Sequence, residues 1–167
     1  IAPQKIENLF QDFDAIKSIF LVGDGKEFNT VLVYPDHQNS PLDLNFESDK
    51  TIRDFFSSII LSVNSFLAPF ERIVNYVLIH RDFSKERGEL THKGTFIRTQ
   101  VLKNFKKIID PLYEKNYVSL YNNSKEVRIP NWLTREIGTV KNNISWDGKI
   151  LAIKDHSKKM NLNWIDN

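Results

Sequence analysis

Few side chains in this sequence have the types and spacing that covalent chemistry needs. There is no cysteine, which removes disulfides, thiolate metal sites and thiol nucleophiles. His80 and His92 are too isolated to form a metal site and read as solvent-facing; His37 and His156 sit in polar context and carry no signal. Asp12 and Asp14 flank Phe13 and could do acid/base work as a pair, but no partner accompanies them, and a helix-end turn is the simpler reading. Lys103, Lys106 and Lys107 fall on the polar side of an amphipathic segment, where a solvated face is the default. Gly23-Asp24-Gly25 reads first as a hairpin turn.

The elements that must position these residues follow from periodicity. Pro3, with Ile6, Leu9 and Phe10 at helical spacing, predicts a short helix. Residues Ile16–Val22 and 28–34 are β-formers on either side of the glycine turn, and Pro35-Asp36 stops the second, so an antiparallel pair is predicted. A polar loop over 37–45 leads to a helix at about 51–67. Its stripe is Ile52, Phe55, Phe56, Ile59, Ile60, Val63, Phe66 and Leu67, with Ser48 or Asp49 as cap and Pro69 beyond its end. A third strand is predicted at 73–79 and a last helix at about 96–113, with Ile97, Val101, Phe105, Ile108 and Leu112 on one face. Both stripes read as core. The stretch 81–94 between them is polar. The 116–167 tail has turn clusters at Asn122-Asn123-Ser124 and Trp146-Asp147-Gly148-Lys149, with extended segments at 127–130 and 150–153. An accessory hairpin is favoured there over a linker, because Trp132, Trp146 and Trp164 in a free linker would expose costly apolar area.

Composition bounds the class. A chain of 167 residues can hold one domain with a core, or a small domain plus an extension. The formal net charge of +2, from 23 basic and 21 acidic residues scattered among each other, is too small to indicate nucleic acid as a partner. No apolar run is long enough to span a bilayer and no signal-peptide pattern opens the chain. The start at Ile1 rather than Met predicts excision or processing from something longer. Absence of cysteine fits a cytoplasmic setting.

Four segments, in order, resemble the C-terminal domain of the adenylate-forming superfamily, particularly its long-chain acyl-CoA synthetase branch. They are Ile1-Ala2-Pro3-Gln4-Lys5-Ile6-Glu7; Val22-Gly23-Asp24-Gly25 with Thr30-Val31-Leu32-Val33-Tyr34-Pro35-Asp36; Leu67-Ala68-Pro69-Phe70-Glu71-Arg72-Ile73; and Gly88-Glu89-Leu90-Thr91 leading to Arg98. The resemblance covers residues 1 to about 114 and leaves the tail unassigned. It implies a lid domain over 1–115 that partners a large N-terminal domain, and an extension over 116–167. The parent enzyme would use ATP, Mg²⁺ and CoA to activate a fatty acid, with none of the cofactors held tightly by this domain alone. Any membrane association would come through that parent.

The fourth segment departs from the family pattern. Aligned on Arg98, the family's catalytic lysine column falls on Thr95, while the lysine here is Lys93, so lysine and threonine are exchanged about Gly94. Two residues move a Cα by at most about 7 Å, and a flexible glycine with a four-carbon side chain recovers much of that. The resemblance implies Lys93 as the cation that offsets phosphoryl charge during carboxylate adenylation. The domain would then rotate for attack by the CoA thiol. Gly23, Asp24, Gly25, Gly94, Thr95 and Arg98 are the residues it would turn toward nucleotide or pantetheine. Lys103, Lys106 and Lys107 are minor candidates for the phosphates of CoA.

The fold expected is α+β: a small, mostly antiparallel sheet of about three strands covered by helices, with an appended β-rich tail. Two other functions stay open: a lid that serves loading of a carrier protein, and a catalytically silent interaction domain.

Overall fold

The computed structural model describes residues 2–163; Ile1 of the first motif and Trp164 of the tail lie outside the described residues. The chain divides into two compact units, Ile1–Glu47 with Tyr76–Lys115 and Ser48–Asn75 with Asn116–Asn167. The architecture is α+β with small antiparallel sheets, as the sequence predicts.

In the first unit, Pro3 opens helix α1 (Pro3–Asn8), where its fixed φ suits the first turn. Strands β1 (Ile16–Val22) and β2 (Asn29–Pro35) pair antiparallel from Ile16↔Pro35 to Val22↔Thr30, with one bulge between Ile16 and Ser18. Strand β3 (Ile73–Leu78), within which the two units meet along the chain, completes a three-stranded sheet in the order β1-β2-β3. Phe20, Val22 and Leu32 of this sheet pack with Ile79 and Phe83 against Val101, Phe105 and Ile109. Phe20, Leu32 and Val101 have no exposed surface, and a side chain so buried contributes roughly 1.5–3 kcal/mol.

The predicted last helix is two: α3 (Arg98–Asn104) and α4 (Lys106–Tyr113), separated where Phe105 takes φ −99° and ψ 11°. The core residues Val101, Phe105 and Ile109 are spaced by four, and a 3.6-residue helix carries such a stripe round by about 40° per step. The break at Phe105 takes up that drift and keeps all three side chains inward. In consequence Ile109 is buried and Ile108, expected on the core face, is exposed; Ile97, also expected on the core face, precedes α3 and is exposed as well.

In the second unit, helix α2 (Asp49–Asn64) is capped by Ser48, whose Oγ accepts from Thr51 N at 3.1 Å. Phe56, Ile59, Ile60 and Val63 form its buried stripe, but Phe66 is 79% exposed. The helix ends at Asn64, short of its apolar spacing, and the Asn64 side chain donates to Ile73 O and accepts from Ile73 N, both at 2.8 Å. Strands β4 (Tyr117–Asn122) and β5 (Lys125–Pro130) form a hairpin turned by Asn123 at φ +53°. Helix α5 (Asn131–Ile137), which periodicity does not announce, follows and ends on Gly138 at φ +82°. Strands β6 (Ile144–Trp146), β7 (Ile150–Ile153) and β8 (Lys158–Asn161) make a second small antiparallel sheet. Val118, Ile129, Ile144, Trp146 and Leu151 form one core.

Candidate functional site

The polar stretch before α3 folds into a tight hairpin with Lys93 at its tip. Leu90 and Phe96 form an isolated antiparallel bridge. Above it Thr91 N donates to Thr95 O at 2.8 Å, and Gly94 N donates to Thr91 O at 2.9 Å. Gly94 adopts φ +82°, a left-handed conformation that a Cβ would strain, although nothing lies within 4 Å of where that Cβ would stand. The glycine is therefore there for the backbone and not for space. The hydroxyls of Thr91 and Thr95 are 2.7 Å apart, and Thr95 N donates to Thr91 Oγ1 at 3.2 Å. Thr95 thus closes the turn. Lys93 is exposed, with no acidic partner among the described residues. Lys85 Nζ donates to His92 O at 2.9 Å, which adds a second cation beside the tip.

Each leg of the hairpin is tied to a buried carboxylate–arginine pair. On the rising leg, Glu89 is fully buried and binds Arg81 in a fork at 2.6 and 2.9 Å. Burial pushes the Glu89 carboxyl up, but the bonds from Arg81, Asn104 and Ser84 N outweigh it and hold the group below the usual carboxylate range. On the falling leg, Arg98 donates to Glu7 Oε1 at 2.9 Å and to Leu21 O, and Glu7 Oε1 also accepts from Leu21 N at 2.8 Å. The Arg98 guanidinium lies 4.1 Å from the centre of the Phe20 ring, and that of Arg81 lies 4.3 Å from Phe105. Arg98 is thereby engaged with α1 and β1.

Gly23, Asp24, Gly25 and Arg98 line a cleft of about 430 Å³ together with Pro3 and Lys26. Lys26 N donates to Gly23 O at 3.0 Å, and Gly25 takes φ +65° to complete the turn. A Cβ on Gly23 would fall 1.9 Å from Asn29 Oδ1, so this glycine is there for space. Tyr113 braces the same turn: its ring stacks on Phe28 at 4.8 Å, and its hydroxyl reaches Val22 O and Phe28 O at 3.0 and 3.1 Å. Burial pushes the Tyr113 hydroxyl up to about 12. Gly94 and Thr95 line a second hollow, of about 410 Å³, with Gln4, Lys17 and Phe96. Lys93 borders neither of these two hollows, and the fold does not bring it onto the glycine-turn cleft.

His80 and His92 are exposed, Asp12 and Asp14 lie at a turn after α1, and Lys103, Lys106 and Lys107 face solvent. Among the described residues no group of three or more His, Asp or Glu could hold a metal ion, and no helix is long and apolar enough to cross a membrane. Sequence reasoning passed over Arg81, Glu89, Asn104 and Tyr113. Glu89 stands inside a quoted motif, but its partners are fixed only by folding.

Known proteins agree with this architecture. The profile of the AMP-binding enzyme C-terminal domain matches residues 1–117. Long-chain-fatty-acid–CoA ligase 6 of Mus musculus is 32% identical over 129 residues, which is 68% of this chain and 18% of the ligase, so the chain spans under a fifth of that relative. The A-PCP didomain of carboxylic acid reductase from Segniliparus rugosus, solved with AMP, matches with a TM-score of 0.56 at 17% identity over 68% of this chain and 16% of its own. The adenylation domain of a carboxylate reductase from Mycobacterium chelonae matches with a TM-score of 0.57 at 17% identity, over 67% of this chain and 18% of its own. At these identities the two structures speak for the fold alone. With the family match running over more than half of its length, the chain belongs to the AMP-binding enzyme C-terminal domain family, and so to the adenylate-forming superfamily.

Proposed function

We propose that this chain serves as the C-terminal domain of an ATP-dependent acyl-CoA ligase and brings Lys93 to the carboxylate-adenylation step. The observation that carries the reading is Lys93 itself, an exposed ammonium at the tip of a hairpin anchored on both legs and without an acidic partner among the described residues. Such a group fits a phosphate. ATP, when bound, supplies the α-phosphate that joins the acyl carboxylate as pyrophosphate leaves. Lys93 offsets the charge that gathers on the phosphoryl oxygens, Gly94 gives the backbone its turn, and Thr95 closes that turn. In this reading the Mg²⁺ that accompanies ATP is held by the large N-terminal domain. The cleft beside Gly23, Gly25 and Lys26 is the surface this chain offers CoA after rotation. A fatty acid as substrate carries over from the mouse relative's name.

The test is Lys93→Ala in the protein that carries this chain. Acyl-dependent exchange of pyrophosphate into ATP should fall about 10²–10³-fold, the loss typical of one preorganised charge-stabilising group. Conversion of supplied acyl-adenylate with CoA should change far less, because that step turns another face of the domain inward. Thr95→Ala, which removes no charge, should stay within about tenfold. Unchanged exchange in Lys93→Ala would refute the reading and leave a catalytically silent lid. Carrier-bound pantetheine in place of free CoA, supplied in the same assay, decides the acceptor.

A further inference from the structure

Glu89 is a carboxylate with every acceptor direction filled. Its Oε1 accepts from Arg81 Nη2 at 2.6 Å and Asn104 Nδ2 at 2.8 Å. Its Oε2 accepts from Arg81 Nη1 at 2.9 Å and Ser84 N at 3.0 Å. A carboxylate has about four lone-pair sites, so none remains for a ligand. The backbone of the same residue is engaged as well: Glu89 N donates to Ser84 O at 3.0 Å, and Glu89 O accepts from Ile97 N at 2.8 Å. One residue therefore joins the chain just after β3, the 84–89 loop, the C-terminal end of α3 and both legs of the hairpin that presents Lys93.

Stability alone is a weak reason for such a group. Removing a carboxylate and a guanidinium from water roughly cancels their attraction, and apolar residues of similar volume often serve as well. What a saturated charged node supplies is a single geometry, since any shift of the hairpin base breaks several bonds to one charge at once. The hydrophobic contacts of the region are less directional: Phe96 meets Phe20 and Phe83 edge-on at 5.1 and 5.0 Å, and such contacts tolerate sliding.

We infer that Glu89, through its fork to Arg81 and its bond to Asn104, is the positioning residue that fixes where Lys93 stands. This rests on the reading of Lys93 given above. Glu89 touches neither substrate nor nucleotide; it acts through the hairpin.

The experiment is a cycle of Glu89→Gln, Lys93→Ala and their combination in the protein that carries this chain. It is read by pyrophosphate exchange, by thioester formation from supplied acyl-adenylate, and by deuterium uptake over residues 89–97. Glu89→Gln keeps the shape and an acceptor for Asn104 but loses the charge on the fork. Adenylation kcat should fall about 10–100-fold, the scale of a displacement of about 1 Å. KM for ATP and the thioester step should hold, and uptake over 89–97 should rise. In the Lys93→Ala background Glu89→Gln should cost nothing further. An additional loss there, or unchanged uptake and adenylation in the single variant, would overturn the inference. Should Glu89→Gln fail to fold, Arg81→Lys keeps the charge and breaks the fork; a folded Arg81→Lys with unimpaired adenylation would equally overturn it. The two claims fail separately: intact adenylation in Lys93→Ala removes the role of the lysine, while uptake over 89–97 still reports whether Glu89 fixes the hairpin.

Discussion

Replacing Tyr113 by Phe removes one oxygen and leaves the ring that stacks on Phe28 with Lys26 Nζ 4.9 Å from its centre. That oxygen lies 2.9 Å from Thr30 Oγ1, 3.0 Å from Val22 O and 3.1 Å from Phe28 O. Its single proton serves one carbonyl, and Thr30 can donate to it. Loss of this set should cost about 1–2 kcal/mol near neutral pH. The contribution of this hydroxyl also depends on pH. Burial, opposed by the bond to Thr30, raises the hydroxyl from 10.0 to about 12 in the folded state. A group whose folded value is raised stabilises fully below its unfolded value, and the stabilisation is lost as pH climbs from about 10 to about 12. The gap corresponds to at most about 2.7 kcal/mol, or about 1–2 kcal/mol after discounting for partial exposure. Tyr113→Phe has no such term. In urea unfolding stepped from about pH 7 to about pH 12, the parent should start more stable and the two curves should converge. The other titrating groups are common to both chains and cancel. A difference that stays constant across that range would refute the buried-hydroxyl account, and no difference at neutral pH would refute the hydrogen bonds.

Gly94→Ala meets no atom within 4 Å but must adopt φ +82°. It should destabilise the hairpin by roughly 1–2 kcal/mol, raise deuterium uptake over 91–95 and lower adenylation, while Gly94→Asn, which tolerates that backbone, recovers most of the loss; equal behaviour of the two would remove the backbone argument. Arg72 Nη1 donates to Arg135 O and Glu136 O at 3.2 and 2.8 Å, where α5 exposes its last carbonyls. Arg72→Ala should cost roughly 1–3 kcal/mol, read in thermal unfolding followed by tryptophan emission, and an unshifted transition would show those bonds to be idle. The purified 167-residue chain should catalyse no acyl-dependent pyrophosphate exchange, since the positioning it lacks is worth roughly 7–11 kcal/mol; measurable exchange would overturn its assignment as a lid.

The sequence by itself determined what depends on near neighbours. The bounds of β1, the antiparallel pairing across the glycine turn, a cap at Ser48 or Asp49 and the buried stripe from Phe56 to Val63 all follow from periods of 2 and 3.6 and from turn chemistry, and the fold chooses Ser48. The motif around Lys93 is read from a resemblance and not from period or turn chemistry. Pro130 and Gly138, which bracket α5, were a local signal left unused. Only the tertiary structure decided that α3 and α4 break at Phe105, because the drift of a four-residue stripe matters only against a core that must be faced. It alone joined Glu7 to Arg98 across 91 residues, and Glu89 to Asn104 across 15. Those bonds make Arg98 an anchor of the hairpin and Glu89 its base. A charged side chain carries no local mark of its partner: burial removes the water that would otherwise satisfy it, and which opposite charge is then within reach depends on how distant segments pack.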